Sequence, residues 1–200
     1  MKVTIPESNA DITLEQFIKY EQLKKRGGVS DLEHNKRAIS IFTNLPYQKI
    51  GKIKQSDYEV LINDIIKAIN TEEPFQHTFK LNGVEYGFIP NLDKMTQAEY
   101  MDLSDYQDQP DKLNYLMAVL FRPIKNKDTF GNYSIEHYEG TDERAELFLQ
   151  MPLNIVIGAI GFFLTLSKHL KKAIQKSTME ELARVAKRAN TLKSGDGMLV

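Results

Sequence analysis

The sequence predicts an α+β fold, predominantly α-helical, with helices packed around one β-hairpin plus a short additional strand. Three observations carry this. Capping pairs of the form Ser/Thr-x-x-Glu/Gln occur at five places: Thr13 with Gln16, Ser30 with Glu33, Ser56 with Glu59, Thr96 with Glu99, and Ser177 with Glu180. In such a pair the first side chain accepts a hydrogen bond from an orphan amide, while the fourth residue reaches back to the cap's own amide. Apolar residues recur at helical spacing through most of the chain. Between His77 and Phe88 the period drops to two on both sides of Asn82-Gly83, a dipeptide suited to the positive backbone angles of a type I′ hairpin turn.

The first helix is expected from about Leu14 to Arg26, where Gly27-Gly28 stops it. Leu14, Phe17 and Ile18 fall on one side, and Lys24, Lys25 and Arg26 favour the carboxyl end of the dipole. A second helix follows Ser30, with Leu32, Ile39 and Phe42 as its buried residues, and ends near the turn Asn44-Leu45-Pro46. Ser56 opens a third, whose Val60, Leu61, Ile65, Ile66 and Ile69 form an apolar stripe. The hairpin comes next. A lone hairpin is marginal in water, so Phe79, Leu81, Val84, Tyr86 and Phe88 require a cover. Thr96 starts a short helix to about Leu103, and Lys112 to Phe121 presents Leu113, Leu116, Met117 and Leu120 at helical spacing. Arg122-Pro123 is read as the end of that helix, followed by a turn-rich stretch, a turn at Phe130-Gly131-Asn132-Tyr133 and a strand from Tyr133 to Tyr138. Thr141 is a candidate cap for a helix through Ala145 and Phe148, which Met151-Pro152 breaks or kinks. An apolar helix from Leu153 to about Gln175 follows, in which Gly158, Ala159 and Gly161 permit close backbone approach. An amphipathic basic helix after Ser177 precedes a tail at Ser194-Gly195-Asp196-Gly197. These elements divide into an N-terminal helical region, 1–70, a central α+β core with the apolar helix, 71–176, and a basic C-terminal helix and tail, 177–200, read as one compact domain with extensions.

A chain of 200 residues with 42% hydrophobic and 26% charged residues has the balance of an ordinary soluble globular protein. It contains no cysteine, so stability comes from packing without disulfides or thiolate metal sites. The net charge of -1 supplies no global drive toward nucleic acid or anionic membrane. The amino terminus carries Glu7 and no apolar core of a signal peptide, and the longest apolar stretch, Ile155 to Leu166, is too short for a membrane span.

No constellation of catalytic residues, cofactor ligands or metal ligands is legible. The histidines, His34, His77, His137 and His169, are scattered without metal-pair spacing. Asp102, Asp105, Asp108 and Asp111 recur every third residue, which does not fit a calcium loop, and Asp108 or Asp111 is better placed at the positive end of the next helix. Gly83, Gly87, Gly131 and Gly140 belong to no phosphate-binding loop. The expectation is a protein that is not an enzyme and takes no cofactor. Candidate partner or phosphate contacts are Lys168, Lys171, Lys172, Lys176, Arg184, Lys187 and Arg188, with Lys193 beyond them, opposed nearby only by Glu180 and Glu181. A solvated helix face is the other reading of that stripe, since no aromatic residue follows Phe163 to stack on bases.

Several segments carry a resemblance: Phe88 to Thr96 with Ala98-Glu99-Tyr100 and Asp102-Leu103, Leu116 to Ile124, Tyr138-x-Gly140-Thr141, Met151-Pro152-Leu153, and Val156-x-Gly158-Ala159-x-x-Phe162-Phe163. From the first helix to about Leu170 the chain resembles small proteins encoded among the structural and tail-assembly genes of tailed bacteriophages, in particular crAss-like and related phages of Bacteroidota. The resemblance implies a morphogenesis or virion protein of the head, the tail or the cargo ejected with the genome. Its expected partners are other phage structural proteins or further copies of itself, and its expected location is the virion, with the host cytoplasm during assembly. A tail-assembly chaperone absent from mature particles, and a DNA-binding accessory protein using the basic C-terminal helix, are the alternatives.

Overall fold

The computed structural model describes residues 4–28, 30–71 and 73–165. The chain divides into two compact units, Met1–Ala159 and Ile160–Val200. Of the second, only 160–165 is described, and it is helical. The first unit opens with four helices, α1 (Leu14–Lys25), α2 (Asp31–Thr43), α3 (Tyr47–Ile50) and α4 (Gln55–Ile69). A four-stranded antiparallel sheet follows in chain order, β1 (Thr78–Leu81), β2 (Val84–Phe88), β3 (Phe121–Lys127) and β4 (Tyr133–Ile135). Helices α5 (Gln97–Tyr106) and α6 (Leu113–Leu120) lie between β2 and β3, and α7 (Asp142–Phe148) follows β4. An eighth helix, α8, begins at 153. The fold is helix-dominated α+β, as the periodicity predicts.

Local signals set many of these boundaries. Both halves of the capping box form at Thr13 with Gln16 and at Thr96 with Glu99. At Ser30 only the first half forms, because the Glu33 carboxylate is turned to Arg37. The box expected at Ser56 is absent: α4 starts one residue earlier at Gln55, its cap Lys54 makes no side-chain bond, and the Ser56 hydroxyl donates to Asp57. The hairpin turn holds Asn82 at φ 49° and Gly83 at φ 81°, the conformation its sequence calls for. Asn44 takes the left-handed conformation at the end of α2, and the chain then makes α3, a single turn of helix where a bare turn was expected.

The largest departure is β3. Arg122-Pro123 reads as a helix terminator and does end α6, but the chain leaves directly as a strand inserted between β2 and β4. Pro123 sits opposite Tyr86 of β2, and its carbonyl faces β4 and accepts from the Glu136 amide at 3.0 Å, one residue past the end of β4. In an extended strand a residue's N–H points to the same side as its carbonyl, so the donor that proline lacks falls at this end of the β3–β4 ladder and leaves the β2 side intact. Strand alternation and register place Phe79, Tyr86, Phe88 and Phe121 on one sheet face and Gly87 and Arg122 on the other. The aromatic face is the core: Phe79 stacks on Tyr86 at 5.3 Å between centroids, and Phe148 of α7 meets both rings edge-on. Helix α6 buries seven of its eight residues, packing chiefly against α7 and α5. Met151-Pro152-Leu153 breaks the chain after α7 and pairs with the entry to α1, Leu14 N donating to Met151 O and Leu153 N to Ile12 O, both at 2.8 Å.

Several residues expected inside are outside. Leu32 of α2 is 57% exposed, and Val60 and Ile66 of α4 are 56% and 49% exposed, because the buried side of α4 is the narrower row Leu61, Ile65 and Ala68. Thr141 precedes α7 but its hydroxyl makes no cap bond. Gly158 lies against the chain's own backbone at Pro74 and Phe75, where an added Cβ would sit 3.2 Å from the Phe75 Cα. Gly87 is tighter: a Cβ there would lie 2.4 Å from the ring of Tyr133, whose hydroxyl donates to Phe88 O at 2.8 Å. Gly87→Ala is therefore expected to destabilise the protein by about 1–3 kcal/mol through overpacking, read as a lower urea midpoint with an unchanged slope.

Candidate functional site

The residues expected to contact partners or phosphate, Lys168, Lys171, Lys172, Lys176, Arg184, Lys187 and Arg188, lie outside the described residues, as do Lys193, the Ser177 cap and His169. Within the described residues, the chemistry converges elsewhere. Glu99, Asp102, Arg122 and Tyr138, drawn from three of the segments that carry the sequence resemblance, come together around Arg122, which lies on the face of the sheet opposite the aromatic core.

The assembly begins with the α5 cap. Thr96 N donates to Glu99 Oε2 at 2.6 Å, and Glu99 N donates to Thr96 Oγ1 at 3.2 Å. This fixes the carboxylate with its other oxygen turned to β3, where Arg122 Nη1 stands 2.5 Å from Oε1. Arg122 and Glu99 side chains are only 6% and 5% exposed. Burial pulls the Glu99 carboxyl upward, but the hydrogen bonds from Thr96 and the Arg122 charge outweigh it and leave it below its ordinary 4.5.

One turn further along α5, Asp102 accepts a hydrogen bond from the Tyr138 hydroxyl. Burial, then the bond to Asp102, pushes the Tyr138 phenol upward. The Tyr138 ring lies 5.6 Å from the Arg122 guanidinium carbon, close enough for a cation–π contact. Arg144 of α7 completes the cluster, Nη1 donating to Ala118 O at 3.1 Å and Gly140 O at 3.4 Å. Its pKa is lowered by burial and by the neighbouring Arg122. Asn114 adds a buried bond from α6 to the Ala145 carbonyl at 3.1 Å.

This arrangement joins α5, β3, the segment before α7, and α7 itself. A general acid or base works best with a pKa near the operating pH. Here Glu99 is moved down and Tyr138 up, each away from neutrality, and each holds a fixed partner. The cluster works as a lock between elements. Of the acidic series, Asp102 belongs to this lock and Asp111 pairs with Lys25 at 3.4 Å, near the start of α6. Among the described residues no group of histidine, cysteine, aspartate and glutamate side chains is arranged to hold a metal ion. None of the described helices is long and apolar enough to cross a membrane.

The Arg122–Glu99 ion pair has no counterpart among the sequence-based expectations. A signal for it exists: Arg122 is the lone charge in the run Leu116 to Ile124, and a charge embedded in an apolar run requires a buried counter-charge. Which acid supplies it is a tertiary matter. No protein-family model, curated protein or solved structure matches the chain.

Arg122→Met leaves Glu99 buried without its counter-charge and is expected to cost about 3–5 kcal/mol, a loss largely reversed when Glu99 is also made apolar. Because the folded Glu99 pKa is depressed, its contribution is complete above its ordinary 4.5 and disappears as pH falls through the lower folded value. Urea denaturation as a function of pH should show this acid-side loss in the parent protein and a smaller one in Glu99→Gln.

Proposed function

We propose that this protein is a non-enzymatic structural or morphogenesis component of a tailed-phage virion, acting by packing against neighbouring phage proteins. The observation that carries the packing role is Phe130, which is 90% exposed at the tip of the β3–β4 turn. This tip is rigidly built. The Asp128 carboxylate accepts from Phe130 N at 2.9 Å, Asn132 N at 2.8 Å and Asn132 Nδ2 at 2.7 Å, and Gly131 N donates to Asp128 O. The same bonds hold the Asp128 carboxyl below its ordinary range. A large aromatic side chain held out on a preorganised turn has the attributes of an interface anchor, since little conformational freedom is lost when it docks. Tyr100 and Met101, 59% and 56% exposed on the outer side of α5, add apolar surface on an element that the buried lock holds in place. The resemblance of the signature segments to phage structural and tail-assembly proteins supplies the setting.

Mass spectrometry of purified virions is expected to find the chain in mature particles. Its presence in infected cytoplasm on a phage partner, with none in particles, would replace this reading by that of a tail-assembly chaperone. Phe130→Ser should leave stability within about 0.5 kcal/mol, as for an exposed site, while reducing incorporation into particles.

A further inference from the structure

A second surface differs in chemistry from the Phe130 tip. Gly51 ends α3 after one turn, and the chain bends sharply into α4, Lys52 N donating to Lys49 O and Ile53 N to Ile50 O, each at 3.1 Å. This corner, one side of α4 and Ile5 of the N-terminal segment line an open trough of about 740 Å³. Its apolar lining comprises Ile5, Ile53, Val60 and Leu61; Val60 is 56% exposed, whereas Leu61 is buried. Its rim carries Lys49, Lys52 and Lys54 against the single carboxylate of Asp57. None of the ion pairs among the described residues uses any of these three lysines. The Asp57 carboxylate, for its part, accepts from the Ser56 hydroxyl.

We infer that this trough is the docking site for an acidic amphipathic segment of a partner protein, a peptide that seats an aliphatic or aromatic side chain on Val60 and directs carboxylates at the lysine rim. The occupant follows from charge complementarity around an apolar floor: the three ammonium groups attract an acidic partner, and the floor gives an apolar anchor somewhere to lose water. A lipid tail suits the site less well, because acyl chains and other small ligands are held in sites that enclose most of their surface, whereas this floor is open to solvent. The inference rests on the packing reading above and adds the chemistry of one partner.

The test uses the full chain labelled with nitrogen-15 and an acetylated synthetic helix-forming peptide with leucines at i and i+4 flanked by glutamates. Amide shifts are expected to cluster on residues 49–61, and affinity is expected to fall about tenfold or more in Lys52→Glu/Lys54→Glu and in Val60→Asp. These positions are exposed at the surface or on the open floor, and unchanged thermal unfolding would show that the variants remain folded. Absence of shifts at 49–61, or equal binding of the same peptide with lysines in place of glutamates, would overturn the proposal. Phosphatidylglycerol vesicles perturbing 49–61 when the peptide does not would reassign the trough to a membrane surface. Virion mass spectrometry separates the two levels: a chain found in particles but silent to the peptide loses only the trough, whereas one that binds the peptide but is missing from particles loses only the virion role.

Discussion

Arg122 and Glu99 meet 2.5 Å apart where almost no solvent reaches, and the rest of the first unit is arranged around keeping them there. A buried ion pair adds little net stability, because both groups give up hydration to form it, yet losing either partner strands a charge in a low-dielectric interior. The pair therefore acts on uniqueness. It forces α5 onto one sheet face in one orientation, since any rotation of the helix would withdraw Glu99 from Arg122 and leave both uncompensated.

The constraint spreads in both directions. The Thr96 cap that starts α5 also aims its carboxylate, so a local helix signal is coupled to a long-range contact. Asp102, on the same side of the helix, holds Tyr138, and Arg144 fastens the segment before α7 to the end of α6. On the other face, Phe79, Tyr86, Phe88 and Phe121 pack with Phe148. The sheet is thus held on one side by non-directional burial and on the other by directional charge. Gly87 lets the Tyr133 ring lie directly on the charged face and bond to the Phe88 carbonyl.

A scaffold held this firmly leaves its surface available for recognition. The Phe130 tip is preorganised by Asp128, and the trough beside α4 combines apolar lining with three lysines that enter none of the described ion pairs. Both are proposed above as contacts made to other molecules. On those readings, the first supplies an aromatic anchor and the second a seat for an acidic amphipathic segment.

How much of this was legible in the chain follows from the range of each interaction. Thr13 with Gln16, Thr96 with Glu99, and the Asn82-Gly83 turn act within a few residues, and each formed where it was expected. The break at Met151-Pro152 is equally local. The box at Ser56 failed because nearby alternatives of similar strength competed: the helix began at Gln55 and the hydroxyl found Asp57. Leu32, Val60 and Ile66 belong to apolar patterns, but a pattern does not specify how wide a stripe its neighbours will cover.

By itself, then, the amino-acid order determined the helix-dominated α+β class, the hairpin, most helix starts and the chain break before α8, because hydrogen bonds and steric preferences within a turn decide those. Only the tertiary structure decided that β3 lies at the centre of the sheet despite Pro123, that Arg122 faces Glu99, and that Val60 borders an open trough. Those outcomes depend on which distant surfaces meet, and burial free energy is determined by that meeting rather than by any one segment's composition.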